Sequence, residues 1–291
     1  MKNIVVMIFS LCYFLSFSQK NPNNYDFFGG KSFGNETVFF RLVFQIDDTI
    51  IFGYIYTDEQ GSRETKSIIK GKINPKTKRI SFTETRKLLS KNNYSLDSLC
   101  YMTGNIQLKL NPKISKLKGA FTEQTTEKIK CQNGTINLIS PDAYIKLKKD
   151  LEKKPIAIVK SKDSIIAQKI LIPSFNSDKK TTIKNDEEIV IYWASNKINL
   201  SIWDDMKEDG DKITIQLNDE IVLYNYELKN KHKEIELVLT KKENLLVFTA
   251  NNNGYLANNT ARIDLFDNEV KHQIITQLQL NKSVNIIIKK Q

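Results

Sequence analysis

Residues 37–57, TVFFRLVFQIDDTIIFGYIYT, decide the fold. Val38, Phe40, Leu42, Phe44 and Ile46 alternate with Phe39, Arg41, Val43 and Gln45. That period of two places successive side chains on opposite faces of a strand. Asp47-Asp48 signals a turn, and residues 49–57 follow as a second strand with Ile50, Phe52, Tyr54 and Tyr56 on one face.

Working outward, the same pattern recurs. Asp58 to Gly61 turns the chain, and segments 64–73 and 79–86 flank Asn74-Pro75-Lys76-Thr77, whose proline pre-sets a turn and excludes a central strand. Residues 88–97 are polar and read as a loop. Strands resume at 99–110, 117–124 and 128–138. Seven short strands without a helical period between them predict an antiparallel meander over residues 24–140, able to close into a small barrel. Upstream, residues 19–36 are polar and rich in Asn and Gly, and read as an irregular lead-in.

The first 19 residues, MKNIVVMIFSLCYFLSFSQ, set the address. Lys2, an uncharged apolar run over 4–17 and the small Ser16 and Ser18 form a signal peptide over residues 1–18, cut before Gln19. The run is shorter than the roughly 20 residues of a membrane span. The expectation is a secreted, periplasmic or cell-surface protein with no integral membrane segment after cleavage. Cys12 leaves with the signal. Cys100 and Cys131 remain, an even pair in an oxidising compartment, and predict one disulfide.

Ser140-Pro141-Asp142 is a helix start, with a serine cap, proline in the first turn and an acid beside it. The helix runs over 141–154, ends in lysines before Pro155, and carries Tyr144, Leu147 and Leu151 as one apolar stripe. Residues 141–187 therefore form a helix and linker, with short strand-like runs at 156–159 and 165–172 and a polar stretch at 174–186. From 188 to 291 nine further period-two segments appear at 8–12 residue spacing. They predict a β-sandwich of jelly-roll type, and an all-β chain overall.

Within this second series, Trp203-Asp204-Asp205-Met206-Lys207-Glu208-Asp209-Gly210-Asp211 continues into Lys212-Ile213-Thr214-Ile215-Gln216-Leu217-Asn218. With Asn225-Tyr226-Glu227-Leu228 and Ala257-Asn258-Asn259-Thr260-Ala261, it resembles a C-terminal β-sandwich module of secreted bacterial proteins, over about residues 188–290. The resemblance implies a fold and an extracytoplasmic setting, and no activity.

Five carboxylates in eight residues (Asp204, Asp205, Glu208, Asp209 and Asp211) make the acidic loop a candidate calcium site. Calcium takes six to eight oxygen ligands, and Gly210 lets the backbone bend. The metal ligands expected are Asp204, Asp205, Asp209 and Asp211. Beside it, Trp203 falls on the polar face of its strand and offers a stacking surface for a sugar. Asn251, Asn252, Asn253 and Asn258 add amide donors and acceptors to the same ligand surface.

For catalysis the inventory is thin. The two histidines, His232 and His272, sit among polar residues, and no nucleophile, zinc or phosphate-loop motif is present. Glu84 and Glu123 are available carboxylates that no spacing singles out. The net charge of +11 comes mostly from dispersed lysine, with only five arginines, which argues against a nucleic-acid reader. These features predict a monomeric, non-catalytic binding protein whose sandwich loops contact a glycan or an extracytoplasmic protein. The alternative is a lipocalin-like carrier of a small apolar molecule, with Phe40, Phe44, Phe52, Tyr54 and Tyr56 lining a cavity in the N-terminal strands.

Overall fold

The computed structural model describes residues 23–59, 61–110, 115–152, 180–204, 207–255, 258–268 and 270–291. The signal segment, Cys12 and the strand-like runs at 156–172 lie outside them. The chain is all-β: an antiparallel eight-stranded barrel, one helix, and a second region in which two layers of strands enclose one core.

Strands β1 (Asn23–Phe33), β2 (Glu36–Asp47), β3 (Ile50–Thr57), β4 (Thr65–Ile73), β5 (Arg79–Ser90), β6 (Tyr101–Lys109), β7 (Lys116–Gln124) and β8 (Lys130–Ile139) pair with their sequence neighbours. Pairing of β1 with β8 closes the cylinder. The lead-in expected over 19–36 is thus corrected: from Asn23 onward it is a strand, and the one that completes the barrel. Its alternation, Tyr25 and Phe27 inward, is broken up in sequence by Gly29 and Gly30 and by Phe28, which packs outward. Eight strands enclose a space that side chains can fill. Here Phe27, Phe40, Phe44, Phe82 and Phe121 do so with Ile and Leu neighbours. Gly104 stands opposite Phe82 in the β5–β6 register, and a Cβ there would collide with the ring.

The hairpin between β2 and β3 fixes which face of β3 looks inward. Leu42, Phe44 and Ile46 pair with Ile55, Gly53 and Ile51, so these odd-numbered residues join the interior. Phe52 and Tyr54 consequently face out, 41% and 38% exposed, and the cavity lining expected of them and of Tyr56 is corrected. Phe40 and Phe44 are inside, in solid packing rather than around a cavity.

Helix α1 (Pro141–Glu152) follows, with the Tyr144 amide donating to the Ser140 carbonyl at 3.1 Å. It docks through buried Ala143 and through Tyr144, whose ring meets Phe28 edge-on at 5.6 Å. Leu147 is exposed, so the expected stripe is shifted toward the first turn; the Leu151 side chain lies outside the described residues. Cys100 and Cys131 are joined, with Cα atoms 6.3 Å apart. Among the described residues no helix is long and apolar enough to cross a membrane.

The second region contains β9 (Thr181–Lys184), β10 (Glu188–Trp193), β11 (Lys197–Trp203), β12 (Lys212–Leu217), β13 (Glu220–Glu227), β14 (Lys233–Val238), β15 (Glu243–Ala250), β16 (Asn259–Asp267), β17 (Val270–Leu278) and β18 (Ser283–Lys290). One layer runs β13-β12-β15-β18-β10, the other β14-β11-β16-β17-β9. Their inner faces share a core that includes Trp193, Ile198, Leu200, Ile215, Phe248 and Leu265. Two pairings depart from the antiparallel strands of a jelly roll: β10 with β18 and β9 with β17 are parallel. The polar stretch read as linker contributes β9, whose only core side chain is Ile183.

The layers are not separate from the barrel. β10 continues the barrel sheet through Leu89–Ile191 and Ser90–Val190. Beside that seam Arg86 pairs with buried Asp267, which also accepts the amides of Ala194 and Ser195. A buried carboxylate satisfied by one guanidinium and two amides fixes how the two regions meet.

Candidate functional site

The acidic loop lies between β11 and β12. Gly210, at φ +84°, bends the chain so that Asp209 and Asp211 point back toward Asp204. One oxygen from each of the three carboxylates lies within 4.8 Å of the others, and the residues are only 2%, 7% and 1% exposed (Asp204, Asp209, Asp211). Asp211 accepts the Thr260 amide through Oδ2 at 2.7 Å, while its buried Oδ1 has no hydrogen-bond partner among the described residues. Burial pushes the Asp211 carboxyl up to about 6 against the pull of that amide, and the charges of Asp209 and Asp204 add to the rise. Asp205 lies outside the described residues. Glu208 turns away from the three and accepts the Asn230 amide at 2.7 Å. Three convergent carboxylates can hold a hard cation such as calcium.

Over this triad sits the 251–255 loop. Gly254, at φ +59°, passes so close that a Cβ would collide with Asp209 and Asp211. Its asparagines are tied down inside the protein. Asn251 accepts from Thr214 (2.8 Å), Asn252 accepts the Lys212 amide (2.7 Å) and donates to the Gly210 carbonyl (2.7 Å), and Asn253 accepts the Leu280 amide. Asn251, Asn252 and Asn253 thus brace the acidic loop, while Asn258 is exposed and has no side-chain hydrogen bond among the described residues. The stacking surface expected of Trp203 is corrected. It is 9% exposed, with His232 stacked on it at 3.9 Å and the Arg262 guanidinium 5.5 Å from its ring centre. Parity placed it on the outer face of β11 correctly; the 229–233 segment then covers that face.

A second gathering of charge occupies one end of the barrel. Glu84 continues the inward positions of Ile80 and Phe82 on β5, Glu123 those of Leu117 and Phe121 on β7, and Lys31 follows Phe27 on β1. All three are buried. Lys31 pairs with Glu123 across the intervening β8 and lies 4.9 Å from the centre of the Phe121 ring. Glu84 pairs with Lys87 and accepts the Met102 amide at 2.8 Å. These residues line an open cleft of about 410 Å³ whose apolar side includes Ile55, Leu99 and Met102, with the disulfide on its rim. Tyr192, from β10, lines it as well; the residue is fully buried, and its hydroxyl has no hydrogen-bond partner among the described residues. Burial raises that phenol to about 12, so it is a neutral donor and acceptor.

Sequence reading named Glu84 and Glu123 without joining them. The available signal was parity: each is a charge standing where the alternation demands an apolar side chain. Nothing local announces Tyr192, which reaches the cleft only because β10 adds to the barrel sheet. No protein-family model, curated protein or solved structure matches the chain.

Proposed function

We propose that this protein is an exported, non-catalytic binding protein that holds a small amphipathic ligand in the mouth of its barrel. The observation carrying this reading is the open cleft of about 410 Å³, lined by an apolar wall and by Tyr192, whose buried hydroxyl has no hydrogen-bond partner among the described residues. That volume falls within the range of small-molecule sites, and a few polar groups against an apolar wall are their usual lining. Ligand hydroxyl or carbonyl groups would complete the hydrogen bonding of Tyr192, and Ile55, Leu99 and Met102 would take the apolar part. Both carboxylates of the mouth are held by lysines, which leaves no free acid–base pair for hydrolysis. The Cys100–Cys131 disulfide, the apolar leader and the resemblance of residues 188–290 to modules of secreted proteins support an extracytoplasmic address.

Titration with the amphipathic fluorophore 1-anilinonaphthalene-8-sulfonate tests it. Gln132 is exposed and lines the cleft, so Gln132→Trp plugs the mouth without touching the core. Saturable fluorescence in the parent, lost in Gln132→Trp and weakened in Tyr192→Phe, is the expected result. Equal binding by the plugged variant, or none by the parent, ends the reading.

A second reading concerns the acidic loop, which we infer takes calcium through Asp204, Asp209 and Asp211. Burial of all three, with Asp211 Oδ1 lacking a partner, favours it.

A further inference from the structure

A separate cleft of about 270 Å³ lies where the barrel wall meets the second region, between β3–β4 on one side and β9 and β17 on the other. Lys66 of β4 enters it beside Tyr54 and Tyr56, its ammonium 4.9 and 5.4 Å from their ring centres. No carboxylate lies within ion-pairing distance of that ammonium among the described residues. The nearby acids are already engaged: Glu59 by Arg41 at 3.3 Å and Glu64 by Lys91 at 3.4 Å. Across the cleft, Glu187 accepts the Lys184 amide at 2.8 Å, and Lys271 pairs with Asp264.

Facing Lys66 is His272 of β17, buried and stacked on Trp193 with ring centres 5.6 Å apart. Its Nε2 has no hydrogen-bond partner among the described residues. The polar surroundings expected for this histidine are therefore corrected to a covered site. Burial first, then the Lys66 charge, pushes the imidazole down to about 3, while burial also lowers the Lys66 ammonium. The Lys66 ammonium thus disfavours a second positive charge on the imidazole, while Glu59 and Glu64 act on Lys66 against its burial. Lys184 and the hydroxyl-bearing Thr181 and Thr182 complete the wall.

We propose that this cleft binds a small oxyanion, a phosphate or carboxylate group of a small molecule, between the Lys66 ammonium and the His272 imidazole. A negative group seated there gives the Lys66 ammonium a direct counter-ion and, with the imidazole in its Nε2–H tautomer, accepts that N–H. The site is distinct from the barrel mouth, whose charges are paired with one another. Its volume limits the ligand to a few heavy atoms beyond the anionic group.

The chain has only two histidines, so imidazole NMR of the whole mature protein reads the site directly and carries its own control. Inorganic phosphate and succinate are titrated separately at constant ionic strength. A saturable shift of His272 with His232 unmoved is expected from at least one, and the stronger arm identifies the anion class. Lys66→Met is expected to weaken that binding about ten-fold or more. Lys66→Arg, which keeps the charge, retains saturable binding and shows that loss in the Met variant is not a folding defect. Absence of a saturable His272 shift with both anions overturns the proposal. So does undiminished binding by Lys66→Met.

Discussion

Between the two layers of the second region the core is built on Trp193, Phe248 and a dense set of Ile and Leu, with the buried polar residues Asn259, Asp267 and His272 toward the strand ends. Inside the barrel the same inward alternation begins with Phe40, Phe44 and Phe82 and ends with Lys31, Glu84 and Glu123 at the mouth. The difference follows from closure. Two facing layers seal their interior with side chains from both, so a charge placed there has no exit to water. A closed cylinder has open ends, and at an end an inward position tolerates a charge if a partner of opposite sign stands across the lumen. The barrel therefore can hold something at its mouth, whereas the layers carry their buried charges only at strand ends and edges, as at the acidic loop and beside His272.

The largest expected effect tests whether the mouth charges are truly withdrawn from water. Glu123→Leu leaves Lys31 buried without its partner and is expected to cost about 3–5 kcal/mol in urea unfolding. Lys31→Met combined with Glu123→Leu removes both charges and is expected to recover most of that loss, since an apolar pair of similar volume suits a buried site equally well. A single-variant cost below about 1 kcal/mol, the range of solvated pairs, breaks the comparison.

Next in size is the rim. The disulfide ties the start of β6 to β8 across β7, closing 31 residues of chain. Cys100→Ser with Cys131→Ser is expected to cost about 3–4 kcal/mol through the freed unfolded state. If the rim positions the mouth, the same variant also weakens fluorophore binding. Calorimetric unfolding gives the first quantity and titration the second. Unchanged unfolding in the double serine variant shows that the pair contributes nothing to the barrel.

Sequence alone carried most of this architecture where alternation is uninterrupted. All nine strands β10 to β18 and seven of the eight barrel strands announce themselves by period two, and Ser140-Pro141 marks the start of α1. β1 was illegible because Gly29 and Gly30 dilute its pattern, and β9 because four residues with one buried side chain carry no period. The acidic loop was legible as composition: carboxylate density and Gly210 singled out Asp204, Asp205, Asp209 and Asp211, of which the fold brings Asp204, Asp209 and Asp211 together and Asp205 lies outside the described residues. Its bracing by Asn251, Asn252 and Asn253 was not, since an asparagine in a loop reads the same whether its amide meets solvent or a backbone 40 residues away. Lys66 and His272 were beyond reach for a stronger reason. They meet only through the seam between β5 and β10, a long-range contact that no local pattern encodes.

The smallest expected effect separates the acidic loop from that seam by pH. Asp211, with its folded pKa at about 6 against an ordinary 3.8, binds its proton more tightly when folded. Its contribution to stability therefore falls as pH rises through the 4–6 window. His272 acts in the opposite sense: held neutral down to about 3, it favours the fold above pH 6.5, and that contribution is lost as pH drops from 6.5 toward 3. In the parent the two slopes overlap and partly cancel. Asp211→Asn removes the first, so its stability is expected to rise with pH across 4–6 more steeply than the parent's. Calcium must compete with the same proton. At ten to a hundred times its dissociation constant it is expected to stabilise the parent by about 1.4–2.7 kcal/mol at pH 7.5, less at pH 5, and not at all in Asp211→Asn. Removing the ion with a chelator should reverse the gain. A melting midpoint unmoved by millimolar calcium at pH 7.5 would leave the triad as three buried acids sharing protons, and the pH slope alone would remain to describe it.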